Sequence, residues 1–281
     1  MLNAHGRFVW YELTTTDMQA AKAFYVEVVG WGARDASMPG IPYTVFSAGE
    51  APVGGLMVLP EQARKAGERP NWIGYVSVND VDATADRISQ LGGAVHVQPQ
   101  DVLDVSRFSV VSDPQMATLA LFKWLKPSEH QPADLRAWGR VGWHELYAAD
   151  WEKAWTFYNE LFGWQKAEAD IGAMGTYQLF SAGGQTIGGM YTKPAVVPVP
   201  FWLYYFNVGD IDAAVKRVKA GGGQVRYGPI GVPGGNSIVQ CTDPQGAMFA
   251  LMGHSGVGYF ERAPSRTVSD ARSGWHGRPV E

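Results

Sequence analysis

Two short segments set a carboxylate beside an indole. Trp10-Tyr11-Glu12-Leu13 and Trp143-His144-Glu145-Leu146 share the spacing Trp-x-Glu-Leu. Each lies in a β-rich run, so Trp and Glu, two positions apart, point to one face, and Arg7 and Arg140 fall on the other. A carboxylate among apolar groups is costly unless paired or wet, and its pKa rises. Such a group can serve as a general base or anchor a ligand's donor. A solvated position, or a structural bond to a strand or a tyrosine, would account for it equally well. The indoles of Trp10 and Trp143 either offer a flat face to a planar ligand or simply fill space. Trp72, Tyr75, Trp202 and Tyr205 pose the same choice, and Met57 and Met190 would give an adaptable lining.

Other chemistry is thinly represented. His144 stands between Trp143 and Glu145, so it should turn away from them as a hydrogen-bonded core or interface residue. His5, His96, His130, His254 and His276 are scattered, without ligand spacing such as H-x-x-x-H. Cys241 is the one cysteine, which excludes an internal disulfide and a thiolate zinc cluster. Its β-rich surroundings suit an inert buried thiol, and a reducing cytoplasm is the expected location. The pairs Gly54-Gly55 and Gly188-Gly189 lack a phosphate-loop context and read as bulges or close backbone approaches. With 281 residues, 46% apolar and 18% charged, the chain can build a sizeable core. Lys plus Arg number 23 against 27 Asp plus Glu, with no basic block, so nucleic acid is an unsuitable partner. Neither a signal peptide nor a bilayer-spanning apolar run is evident.

The elements that position these residues occur twice. Arg7–Trp31 and Arg140–Trp164 align without a gap and agree at 11 of 25 positions. Tyr43–Leu56 and Tyr177–Met190 agree at 7 of 14, and Asp113-Pro114-Gln115 is matched by Asp243-Pro244-Gln245. Two homologous halves therefore span residues 1–125 and 140–254, joined by a proline-containing linker at 126–139 and followed by a polar tail, 255–281. That tail carries Arg262, Arg266, Arg272 and Arg278, as a solvated extension or a partner contact. Asp17, Asp80, Asp150 and Asp210 each end a β-rich run and start a helical one, the position of an N-cap. Ala21, Phe24, Tyr25, Val28 and Val29 then share one helix face, and Gly30 can stop the helix. The unit is strand, helix, several strands, repeated four times.

With the strand–Asp–helix–Phe-Tyr–Gly-Trp start and the Asp-Pro strand both doubled, the chain resembles the vicinal oxygen chelate superfamily. That superfamily holds glyoxalase I, the bleomycin-resistance proteins and the extradiol dioxygenases, and the chain further resembles its tandem-duplicated glyoxalase-like branch. The resemblance implies an α+β fold of four βαβββ modules in two tandem domains, whose curved mixed sheets form cups around a ligand. It also implies places for metal ligands, which fall here on Trp10, Ile73, Ala120 and near Gly55, and on Trp143, Leu203, Ala250 and near Gly189. None of these can donate a lone pair from its side chain to a divalent cation. The expectation is therefore a cup with no metal and no other cofactor, lined by Trp10, Glu12, Tyr75, Trp143, Glu145 and Tyr205. It would bind a small, partly aromatic molecule. Alternatives are a metal-dependent glyoxalase-like lyase or isomerase on a small carbonyl compound, and a protein-interaction role with closed cups. No membrane or nucleic-acid partner is expected, and a homo-oligomer stays open.

Overall fold

The computed structural model describes residues 4–103, 105–126, 134–172 and 175–255. His130, His276 and the arginine-bearing part of the tail lie outside the described residues. Each half begins with a strand and a capped helix. The first runs β1 (Phe8–Thr15), α1 (Met18–Val29), β2 (Gly32–Asp35), β3 (Tyr43–Ala48) and β4 (Ala51–Val58), then a short α2 (Glu61–Lys65). It continues β5 (Asn71–Ser77), α3 (Val81–Gln90), β6 (Ala94–Val102), β7 (Ser106–Ser112) and β8 (Thr118–Trp124). The second half runs β9 (Val141–Ala148), α4 (Trp151–Phe162), β10 (Gln165–Gly172), β11 (Gly175–Ala182) and β12 (Gln185–Thr192). Its last module is β13 (Phe201–Asp210), α5 (Ile211–Ala220), β14 (Gln224–Gly231), β15 (Ser237–Thr242) and β16 (Met248–His254). The expected helix starts are present. Asp17, Asp80, Asp150 and Asp210 each accept a backbone N–H of the first turn, and Gly30 closes α1 at φ 84°.

Both sheets are open and eight-stranded, with the same order: β2-β3-β4-β1-β5-β8-β7-β6 and β10-β11-β12-β9-β13-β16-β15-β14. The two modules of a half meet where β1 pairs antiparallel with β5, and β9 with β13. Four βαβββ modules thus make two cup-forming sheets, an α+β fold. One face of each sheet enters a core shared by both halves. Leu13, Phe46, Leu56 and Trp72 from the first sheet join Leu146, Phe180, Met190 and Trp202 from the second in one buried cluster.

Hydrogen bonds across this seam come in matched pairs. The Trp31 indole N–H donates to the Gly139 carbonyl at 2.7 Å, and the Trp164 indole to Gly6 at 2.7 Å. Tyr25 OH donates to Asp243 at 3.1 Å and Tyr158 OH to Asp113 at 2.9 Å, while Trp72 and Trp202 donate to those two hydroxyls. The aspartates of the Asp-Pro turns therefore fasten each half to the other's first helix. Near the centre His144 is 1% exposed, takes a 2.6 Å bond with Tyr11 OH, and stacks on Phe8 at 4.1 Å. It is the interface histidine that strand parity indicates. Two proposed cup residues belong here instead: Trp72 pairs with Leu13 and Trp202 with Leu146, which puts both indoles on the core face. Met190 is likewise in the core, whereas Met57, opposite Thr14, is half-buried on the other face.

Candidate functional site

The faces turned away from the shared core carry a second kind of cluster, one per half. In the first, Tyr75, Ala120 and Phe122 are buried, with Val9, Trp10, Ile73, Phe108, Val110 and Trp124 packed around them. In the second, Tyr147, Tyr191, Leu203, Tyr205 and Ala250 are surrounded by Trp143, Tyr177, Val197, Phe201, Ile238, Met248 and Met252. Cross-strand register sets Trp10 beside Tyr75 and Tyr75 beside Ala120, with Glu12 between Gly55 and Ile73. The second half repeats this with Trp143, Tyr205, Ala250, Glu145, Gly189 and Leu203. Each cup thus forms within one half and, among the described residues, has a single carboxylate in its floor.

Both oxygens of each carboxylate are engaged by phenols. Tyr43 OH donates to Glu12 at 2.8 Å and Tyr75 OH at 3.0 Å, and the Trp10 indole donates to Tyr43 OH at 3.3 Å. Around Glu145 the donors are Tyr177 at 2.9 Å and Tyr205 at 2.7 Å, with Trp143 donating to Tyr177 at 2.9 Å. The second site adds Gln240, whose amide lies 3.4 Å from Glu145 and also bonds the hydroxyls of Tyr205 and Tyr147. Burial raises both carboxyl groups above the ordinary range, and the tyrosine bonds oppose it by favouring the ionised form. The phenols shift upward in turn through burial and the adjoining carboxylate, Tyr147 to about 12, so they stay donors at neutral pH.

Tyr43 and Tyr177 are site residues that strand parity around Glu did not find. They reach the carboxylate by crossing the neighbouring strand at glycine. A Cβ on Gly55 would run into the Tyr43 hydroxyl and ring, and one on Gly189 into Tyr177. A Cβ on Gly188 would strike the His144 carbonyl. The double glycines are close approaches, and their association with a repeated tyrosine eleven or twelve positions earlier was the available signal.

The donor set does not suit a divalent metal. The places that chelate in the resembled superfamily hold indole, aliphatic and glycine groups, and the lone carboxylate of each cup is already shared by two hydroxyls. Among the described residues no three His, Cys, Asp or Glu side chains converge as metal ligands. His144 cannot join such a set from the core face, where its two ring nitrogens meet Tyr11 and the Ile187 carbonyl. Cys241 is buried, and burial pushes its thiol up to about 12. Among the described residues no helix is long and apolar enough to cross a membrane.

Comparison with known proteins agrees with this architecture. "Putative glyoxylase CFP32" of Mycobacterium bovis is 32% identical over 246 residues, covering 86% of this chain and 93% of that protein. "Anthracycline biosynthesis protein DauV" of Streptomyces sp. is 32% identical over 269 residues, covering 89% and 94%. Among solved structures, the Mn(II)-bound glyoxalase from Novosphingobium aromaticivorans superposes with a TM-score of 0.60 at 16% identity, covering 89% of this chain and 82% of the other. The 2,3-dioxygenase LapB from Pseudomonas sp. KL28 also gives 0.60, at 12% identity, covering 93% and 97%. At such identities these two share the fold alone. The pattern of the Glyoxalase/Bleomycin resistance protein/Dioxygenase superfamily matches residues 7–121 and again 140–251, and the chain belongs to that superfamily.

Proposed function

We propose that this protein binds a small, partly aromatic molecule in a sheet cup without using a metal. The supporting observation is the floor of the cup: a half-buried carboxylate held by two phenols, walled by aromatic and aliphatic groups, where a chelating set would otherwise be. Concave apolar surface with a few convergent polar groups is the general form of a small-molecule site. A planar ligand gains from the faces of Trp10 and Tyr75, while a ligand N–H or O–H donates to the carboxylate and fixes orientation. A relative named for anthracycline biosynthesis, a class of fused-ring aromatic compounds, is in keeping with such a ligand.

A lyase or isomerase acting on a carbonyl compound is the second reading. The raised carboxyl groups favour it, since a general base works best with a pKa close to the working pH. A relative bears a glyoxylase name. The donor set supports no metal-dependent step, so this reading rests on proton transfer at Glu12 or Glu145.

Binding is tested by tryptophan fluorescence during titration with planar probes: 9-aminoacridine as a cation, 9-anthracenemethanol as a neutral compound, and anthracene-9-carboxylate as an anion. Saturable quenching by at least one is expected, weakened about ten- to a hundredfold by whichever of Glu12→Gln and Glu145→Gln alters an occupied cup, the effect of losing a charge-assisted hydrogen bond. Equal quenching in wild type and both variants, with unchanged melting temperatures, would remove the glutamates from the site. No saturable binding of any probe would overturn the reading.

A further inference from the structure

Resting on that reading, we infer that the two cups have diverged: only the first receives the ligand, a planar aromatic that is neutral or carries a protonated amine. The same register positions hold different side chains. Thr14 pairs with Met57 and Asn71 in the first cup, and Tyr147 with Tyr191 and Phe201 in the second. In the second cup Tyr147 stacks on Phe201 at 4.5 Å and lies 4.8 Å from Tyr191, so three rings pack against one another. In the first, that region holds a threonine hydroxyl bonded to Asn71 at 2.9 Å and a thioether.

The connecting segments differ in the same sense. Between β12 and β13 the chain packs Val197 against the second cup's cluster, and Lys193 pins it by donating to the Val197 carbonyl at 2.6 Å. The corresponding stretch of the first half forms α2, none of whose residues is buried. The carboxylates differ too. Glu145 is 8% exposed and has Gln240 beside its two phenols; Glu12 is half-buried, and Val110 stands in the place of Gln240. A carboxylate has about four acceptor positions, so Glu12 keeps capacity for a ligand's donor.

Charge sets the ligand class. Around Glu12 the first cup presents apolar and phenolic groups, with the uncharged Thr14 and Asn71 farther along the strands. Among the described strand residues the cation that register places on this face is Arg34, exposed on β2, three strands from β1, or about 14 Å at the usual strand spacing. On α2 Arg64 and Lys65 are exposed, and Lys65 is paired with Glu61. An anion entering would meet the half-buried Glu12 carboxylate, which among the described residues has no cation paired with it, whereas a protonated amine would pair with it and with the ring faces.

The test uses the full chain and calorimetric titration with the same probes. One equivalent of 9-aminoacridine is expected per chain, with anthracene-9-carboxylate at least tenfold weaker. Thr14→Tyr, which imports the second cup's ring, should abolish binding, and Glu12→Gln should weaken it tenfold or more. Circular dichroism melts confirm that the variants are folded. The stoichiometry stands on wild type alone, so it is read even if a variant fails to fold. Two equivalents, full binding by folded Thr14→Tyr, or equal affinity for the carboxylate would overturn the inference while leaving cup binding intact. Failure of every probe to bind wild type would overturn both.

Discussion

His144 should make the junction between the halves sensitive to acid. Its Nδ1 faces the Ile187 carbonyl at 2.6 Å, which can only accept, so Nδ1 carries the hydrogen and Nε2 accepts from Tyr11 OH. Burial holds the imidazolium form down, moving the pKa from 6.5 to about 4. A depressed pKa means that the unfolded chain binds the proton more readily. The contribution is therefore fully present above pH 6.5 and is lost as pH falls through 4. A gap of about 2.5 units corresponds to about 3 kcal/mol, a large share of a typical net stability. His144→Gln keeps a donor and an acceptor but does not titrate. Urea unfolding of both proteins, followed by far-ultraviolet circular dichroism at half-unit steps from pH 7.5 to 4, isolates the effect, because every other titrating group is common to both. Wild type should lose about 3 kcal/mol relative to the variant over that range. Parallel profiles would show that the imidazole is not held neutral in the seam, and the account of the junction would fail.

Three further outcomes follow from the same geometry. Tyr25→Phe removes the donor to Asp243 Oδ2, whose Oδ1 keeps the Gln245 and Ala247 backbone N–H groups, and the acceptor of the Trp72 indole, so it should cost about 2–5 kcal/mol, read as a lower urea midpoint. Gly55→Ala forces Tyr43 away from Glu12 and should destabilise by about 1–3 kcal/mol, with altered Trp10 emission; an unchanged midpoint would contradict the close approach. Glu145 has a raised pKa, so its stabilising contribution is greatest below 4.5 and declines as pH rises through the folded value. The stability of wild type minus Glu145→Gln should accordingly fall from pH 4.5 upward, and a flat difference would refute the burial.

The order of elements was legible because local chemistry dictates it. The four aspartate caps, the Phe24–Val29 stripe and the glycine stop act within a turn or two of chain. Strand parity likewise placed Trp10 with Glu12 and Trp143 with Glu145. Trp72 and Trp202, weighed as cup residues for their aromatic character alone, lie on the core face, because one step along a strand reverses the face and their neighbours Ile73 and Leu203 line the cups. Tyr43 and Tyr177 stayed hidden for another reason. Their contact with glutamate crosses a strand, and its register depends on the glycine pair and the β-bulges of β4 and β12. The glutamate partner is tyrosine, one of the structural alternatives open from the sequence.

Internal duplication explains why fold and ligand are unequally readable here. The residues that repeat most plainly are those fastening the halves: Tyr25 with Tyr158, Trp31 with Trp164, Asp113 with Asp243. Each makes a buried hydrogen bond whose loss leaves a partner unsatisfied, so both copies solve one folding problem with one residue. The cup walls face no such reciprocal demand. Thr14 against Tyr147, and Val110 against Gln240, differ freely because each needs only to suit what lies within its own cup. A comparison of the halves therefore picks out the seam and passes over the walls. The cup floor does repeat, with Tyr43 and Tyr75 matched by Tyr177 and Tyr205 around the glutamates, and in the Trp-x-Glu-Leu segment the leucine serves the core while the glutamate serves the cup. That segment joins the two problems in one strand, and a strand that kept only the packing face would have lost the carboxylate.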